Sequence, residues 1–199
     1  MKIYCFDFDG TLADTVPLIV GAVNRLLKEG GEEEIGDDII EELKNKGVRK
    51  MVKRMNISLL KMFFISRRVR VEMSKEIKKA KVKEGIKDVL EELSKRGYIL
   101  GILTSNSRRN VVEFLKESDL PLFDFIITSS IFGKKRKIKK IKKRGEVVYI
   151  GDEIRDVEAG KGAGVSTIAV TWGVNSEESL LSANPDMVAR EPKDILNFH

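Results

Sequence analysis

The stretch Lys2-Ile3-Tyr4-Cys5-Phe6-Asp7-Phe8-Asp9-Gly10-Thr11-Leu12 decides how this chain is read. From Ile3 to Phe6 it is continuously apolar or aromatic, and no turn former appears before Gly10. That is the composition of a strand buried on both faces inside a parallel sheet. Two carboxylates, two residues apart, follow at its C-terminal end. Side chains alternate along an extended chain, so Asp7 and Asp9 lean to one side and Phe8 to the other. Like charges that close need a cation between them, a shared proton or very different surroundings. Gly10 then lets the backbone turn away. One acidic residue after a strand is common, and this whole string is not.

The chain has 199 residues, enough for one large domain or for one domain carrying a smaller insert. An apolar fraction of 42% with 34% charged residues fits a globular protein with a sizeable core. The apolar runs are too short to cross a bilayer, so no membrane association is expected. The strand begins at the second residue, which leaves no room for a signal sequence, and the expected compartment is the cytoplasm. One cysteine excludes an internal disulfide framework, and Cys5, inside the first strand, reads as packing. A net charge of +6 favours acidic partners or phosphorylated substrates, although much of it sits in a single run.

Two regions differ in pattern. Thr15 is placed to cap a helix with Pro17 in its first turn, which Gly30-Gly31 ends. Val48, Met51, Val52 and Met55 form a helical face, Leu59–Ile65 a short apolar block, and Arg67–Lys83 a basic helix. The inward side of that helix is Val69, Met73, Ile77 and Ala80. No alternating strand pattern appears, so residues 15–83 are expected to be a contiguous all-helical insert. Residues 1–14 and 84–199 would then form the core. In the latter stretch a helix with Ile86, Val89, Leu90 and Leu93 facing inward precedes a strand at Tyr98–Leu103 and a helix at Ser107–Glu117. Strands at Phe123–Ile127, Val147–Ile150 and Val165–Val170 alternate with a basic helix and a helix from Ile154. A short strand at Asp186–Ala189 and a small helix end the chain. This alternation predicts an α/β fold: an open, mostly parallel sheet with helices on both faces. Sites in such sheets lie at the carboxyl ends of the strands.

Three later segments meet that requirement. Gly101-Ile102-Leu103 runs into Thr104-Ser105-Asn106, hydroxyl and amide groups suited to a phosphate or simply to capping a helix. Gly133-Lys134 opens a run in which every residue through Arg144, apart from Ile138 and Ile141, is Lys or Arg. One such lysine could neutralise a phosphate, and composition does not say which. The others read as a solvated helix face. The run also fits nucleic-acid binding, disfavoured because it lacks interleaved aromatics for stacking. Finally Val147–Ile150 leads into Gly151-Asp152-Glu153-Ile154-Arg155-Asp156, with Asp152 at a strand tip and Asp156 one helical turn on.

Asp7-Phe8-Asp9-Gly10-Thr11-Leu12 resembles the first motif of the haloacid dehalogenase superfamily, most of whose members are phosphatases. Thr104 matches the hydroxyl of the second motif, with Ser105 as the adjacent alternative. Gly133-Lys134 resembles the third motif, and Gly151-Asp152 with Asp156 the fourth. Within the superfamily the chain looks most like the phosphoglycolate phosphatase-like branch, and its insert falls where many members carry a helical cap over a Rossmann-like core. The resemblance implies a Mg²⁺ site from the Asp7 carboxylate, the Asp9 backbone carbonyl and Asp152, with Asp156 bonding a metal-bound water. It implies Asp7 as nucleophile and Asp9 as acid and base, with Thr104 and Lys134 holding the phosphoryl oxygens. The substrate would be a small phosphorylated metabolite, with cap residues such as Arg49 or Lys50 meeting a second anionic group. Dehalogenases of the superfamily lack the second aspartate, so Asp9 argues against that chemistry. A sugar phosphomutase is the alternative, because Lys46-Gly47-Val48-Arg49 resembles a mutase substrate loop. The mutases in question use a cap histidine, and the one histidine here is His199.

Overall fold

In the computed structural model, which describes residues 1–54 and 58–198, the opening strand β1 (Lys2–Phe6) lies inside a sheet. A tight turn leads to β2 (Ala13–Asp14) and the helices α1 (Val16–Glu29), α2 (Asp37–Arg54) and α3 (Leu59–Ser74). A 3₁₀ turn at Ile77–Lys79 precedes β3 (Lys81–Val82). Then come α4 (Ile86–Lys95), β4 (Ile99–Thr104), α5 (Arg108–Glu117), β5 (Phe125–Thr128) and α6 (Lys134–Ile141). The remaining elements are β6 (Glu146–Gly151), α7 (Ile154–Ala163), β7 (Ser166–Val170), α8 (Glu177–Ser182), β8 (Met187–Ala189) and a 3₁₀ helix at Pro192–Asn197.

Six strands form the main sheet in the order β5-β4-β1-β6-β7-β8, and every neighbouring pair is parallel. The chain winds outward from β1 in one direction through β4 and β5, and in the other through β6, β7 and β8. β1 is therefore the point where the winding reverses, and a crevice opens at its carboxyl end. The pleat of β1 sorts its side chains as the alternation required. Tyr4, Phe6 and Phe8 pack on one face with Ile86, Leu90 and Leu93 of α4. Ile3 and Cys5 pack on the other with Ile138 and Ile141 of α6 and Ala159 of α7. Asp7 continues this second series toward α6. The expected α/β architecture is the one observed, and Cys5 is packing.

Three local expectations change. The segment expected to be all-helical contains β3, which pairs antiparallel with β2 through Ala13↔Val82 and Asp14↔Lys81. Both ends of the helical segment thus pass through one short ribbon, and two-residue strands are too brief for alternation to show. The basic helix expected at Arg67–Lys83 is instead α3, which starts at Leu59 and stops at Ser74. Met73 and Ile77 are buried as its inward side required, but Ile77 lies in the 3₁₀ turn. A burial pattern can survive a change of element because it reports the surface being covered. Finally α8, a helix of six residues capped by the Ser176 hydroxyl, is too short for a helical period to show.

The helical segment also leans on the loop after β7. Asn175 Nδ2 donates to the carbonyls of Leu43 (2.9 Å) and Lys44 (3.1 Å), and the Ser179 hydroxyl donates to Asn45 O (2.7 Å). Just beyond, α2 bends at Gly47, whose φ of +69° suits glycine. Met55 and the terminal His199 lie outside the described residues, as do the side chains of Val48, Met51 and Val52, so the expected face is not described. No helix among the described residues is long and apolar enough to cross a membrane.

Gly101 interrupts the buried middle of β4 for a packing reason. It pairs with Phe125 of β5, and a Cβ at Gly101 would lie 2.0 Å from that ring. Gly101→Ala should therefore destabilise the fold by about 1–3 kcal/mol in urea unfolding. Combining it with Phe125→Leu should cost less than the sum of the single changes. Strict additivity would contradict the contact.

Candidate active site

The reversal point at β1 gathers groups from four elements. Asp7 follows β1, tied by its N–H to Ile150 O of β6 at 2.8 Å. Asp152 follows β6, and Asp156 sits in the first turn of α7. Lys134 is the first residue of α6. Its Nζ lies 2.6 Å from Asp7 Oδ2 and 2.6 Å from Asp156 Oδ1, with all three side chains no more than 2% exposed. Asp152 is oriented by two donors, the Thr11 hydroxyl to Oδ1 (2.8 Å) and the Val174 N–H to Oδ2 (2.7 Å). Gly10 makes this approach feasible: its φ is +74°, and a Cβ there would lie 2.4 Å from Asp152 Oδ2.

Asp7, Asp152 and Asp156 each offer an oxygen within 4.8 Å of the others. Three carboxylates against one ammonium leave an excess of negative charge in a dry place. Burial accordingly raises the Asp7 carboxyl above its ordinary range, with Asp156 and Asp9 pushing the same way against Lys134. Burial also lifts Asp152 well above its usual value, aided by Glu153, Asp7 and Asp156. Burial pulls the Lys134 ammonium down, but Asp156 and Asp7 outweigh it and hold it protonated. Asp7 Oδ1 is buried with no hydrogen-bond partner. An orphaned carboxylate oxygen amid hard oxygen donors and surplus negative charge fits a divalent cation of the Mg²⁺ type.

Asp9 stands beside this cluster, partly exposed. Its Oδ1 accepts from the Thr15 hydroxyl (2.8 Å) and from Asn106 Nδ2 (2.9 Å). Thr15 thus does not cap α1 with its side chain as expected, because its hydroxyl is turned to Asp9. Burial raises the Asp9 carboxyl, and these two hydrogen bonds oppose it. Thr104 is fully enclosed at the end of β4, its Oγ1 accepting from Asn106 N at 2.9 Å. Ser105 turns its carbonyl to Arg70 Nη1 at 2.7 Å. The side chain of Arg49 lies outside the described residues, and Lys50 is exposed on α2. Trp172 packs partly buried against the core and donates from Nε1 to Thr11 O, bracing the turn after β1.

Burial separates Lys134 from the rest of its basic run. Lys135, Arg136, Lys139, Lys140, Lys142, Lys143 and Arg144 are all exposed, as a solvated face requires. Sequence reasoning assigned no role to Thr11, Glu153 or Arg155, and it linked neither Thr15 nor Asn106 to Asp9. For Glu153 and Arg155 a local signal existed: they stand two apart and form a close ion pair, with Arg155 Nε 2.7 Å from Glu153 Oε2. For Asn106 none did, since its partner Asp9 is 97 positions away.

Comparison with known proteins identifies the family. The sequence profile of the family described as haloacid dehalogenase-like hydrolase matches residues 4–170. A phosphoglycolate phosphatase from Synechococcus elongatus is 34% identical over 203 residues, covering 98% of this chain and 96% of the relative. A phosphoglycolate phosphatase from Aquifex aeolicus is 27% identical, covering 100% of this chain and 96% of its own. Among solved structures, a haloacid dehalogenase-like hydrolase from Streptococcus pneumoniae superposes with a TM-score of 0.81 at 25% identity, covering 99% and 97% of the two chains. A structure described as a predicted phosphatase from Clostridium acetobutylicum shares the fold, with a TM-score of 0.82 at 22% identity and 99% coverage of each chain. The chain belongs to the haloacid dehalogenase-like hydrolase family, in its phosphoglycolate phosphatase-like branch.

Proposed function

We propose that this phosphoric monoester hydrolase is a Mg²⁺-dependent phosphatase of a small phosphorylated metabolite with a phosphoglycolate-like leaving group, working through a phosphoryl group carried on Asp7. The observation that carries the reading is the buried Asp7 carboxylate, with Oδ2 on Lys134 and Oδ1 unpartnered. An oxygen in that condition is poised for phosphorus. The Asp7 carboxylate attacks in line, and the bond from phosphorus to the substrate's ester oxygen breaks. Asp9 gives its proton to the departing alcohol, then takes one from the water that cleaves the aspartyl phosphate and restores Asp7. Burial favours the protonated form of Asp9. Thr15 and Asn106 occupy Oδ1, leaving Oδ2 for the proton.

Lys134 and the Thr104 hydroxyl, or that of Ser105 beside it, hold the phosphoryl oxygens. The Asp7 and Asp152 carboxylates and the Asp9 carbonyl would hold Mg²⁺, with Asp156 behind them. Bound there, the ion compensates charge on the transferring group. The segment 15–83 serves as a cap that closes over the site and excludes water.

Phosphate release from a panel of phosphomonoesters that includes phosphoglycolate should require Mg²⁺ and stop with chelator. Asp7→Asn should lower it by at least about 10⁴-fold. Release persisting in chelator or in the variant would contradict the mechanism.

The crowded carboxylates also set a pH dependence of stability. The folded-state carboxyls of Asp7, Asp9 and Asp152 titrate above their unfolded values. Their contribution is therefore fully present below the unfolded value of about 3.9 and is lost as pH rises through the raised folded values. Thermal unfolding of metal-free protein should show Tm falling on that account between weakly acidic and neutral pH. Added Mg²⁺ should raise Tm more at pH 8 than at pH 5, since ion and proton compete for the same oxygens. Equal stabilisation at both values would contradict metal binding by these carboxylates.

A further inference from the structure

A cavity of about 260 Å³ lies against Asp9, on the side where the alcohol would depart. Ser105 and Asn106 line it from the sheet, and aliphatic side chains such as Ile19, Val20 and Val69 line it from α1 and α3. Two guanidinium groups reach this largely apolar space, Arg155 and Arg70. They differ in what balances them. Arg155 is neutralised by Glu153, to which both Nε and Nη2 donate, and its Nη1 reaches Ile131 O at 3.2 Å. Arg70 is partly buried, and its side chain has one neutral partner, the Ser105 carbonyl. Among the described residues it forms no ion pair, and Asp9, on the same wall, acts on it only from beyond ion-pair distance. Its backbone is also fixed, because Asn110 Nδ2 donates to Arg70 O at 3.0 Å and to Asn106 Oδ1 at 2.9 Å. A guanidinium drawn out of water without a carboxylate is costly unless a ligand supplies the anion.

We propose that Arg70 is the specificity-determining residue for the leaving group, taking a carboxylate carried one or two carbons from the ester oxygen. The inference rests on the phosphatase reading above. The guanidinium fork matches a carboxylate geometrically, and Arg70 lines the cavity while its Nη1 is held by Ser105 O. The cavity accommodates a short acid, and the two carboxylates on its wall are already engaged, Asp9 Oδ1 by Thr15 and Asn106 and Glu153 by Arg155. The aliphatic walls make an uncharged leaving group tolerable but leave Arg70 unpaired, which is the basis of discrimination.

The test compares phosphoglycolate with ethyl phosphate, in which a methyl replaces the carboxylate, in wild type, Arg70→Met and Arg70→Lys with Mg²⁺. Arg70→Met should lower the ratio of the two kcat/KM values by about 100-fold, the scale expected when one partner of a desolvated charge pair is removed. Arg70→Lys should retain part of the preference, since it keeps the charge and loses the fork. Both substrates declining in proportion would overturn the proposal, because a residue that merely braces Ser105 affects both alike. Calorimetric binding of the same two esters is measured on Asp7→Asn and on Asp7→Asn/Arg70→Met, so the carboxylate preference is read without turnover. Loss of that preference with Arg70 supports the proposal and its survival overturns it. An Arg70-dependent binding preference in Asp7→Asn, with no phosphate released by wild type, would overturn the phosphatase reading and sustain the carboxylate site at Arg70.

Discussion

The ammonium of Lys134, held 2.6 Å from both Asp7 and Asp156, is the interaction on which the centre depends. Its position is unfavourable by itself. Lys134 opens α6, where the helix dipole disfavours a cation, and its side chain is almost entirely withdrawn from water. Only the carboxylates offset those costs, and they are present because β1 and β6 are neighbours with their carboxyl ends level. The reverse also holds: without Lys134, three buried carboxylates would face one another. One ammonium against three acids leaves the balance incomplete; burial first, and then the neighbouring carboxylates, raise the Asp7 and Asp152 carboxyls, and one Asp7 oxygen is orphaned. A fold arranged only for stability would remove that shortfall. A site that admits an ion and a phosphoryl group needs it.

Much of this was legible in the sequence because strand ends mark themselves. At Phe6-Asp7, Leu103-Thr104 and Ile150-Gly151-Asp152, apolar sequence gives way abruptly to polar groups, and parallel sheets collect such ends on one edge. The alternation in β1 even assigned Phe8 and Asp7 to opposite faces, as found. Lys134 is not singled out by composition, which treats all the basic residues of its run alike. Resemblance pointed to the lysine after Gly133, and burial then distinguished it.

What stayed hidden has a common cause, pairing that leaves no spacing in the chain. Thr15 looked like a helix cap because hydroxyls before helices usually are, yet the nearby Asp9 claims its hydrogen bond. Asn106 is an ordinary loop residue until β4 is laid beside β1. The β2–β3 ribbon joins two dipeptides separated by three helices. Arg70 belongs to the same class. On the sequence it is one of many basic residues in the helical segment, and only its burial, its carbonyl partner and the cavity beside Asp9 set it apart.

The role of Asp7 is read most directly by trapping. Enzyme turning over phosphomonoester with Mg²⁺ would be quenched in acid and reduced with borohydride, which converts an aspartyl phosphate to homoserine, and then mapped by peptide mass spectrometry. Homoserine should appear at position 7 during turnover and be absent without substrate. Phosphate release with position 7 unmodified, or with the modification at another residue, would contradict nucleophilic attack by Asp7.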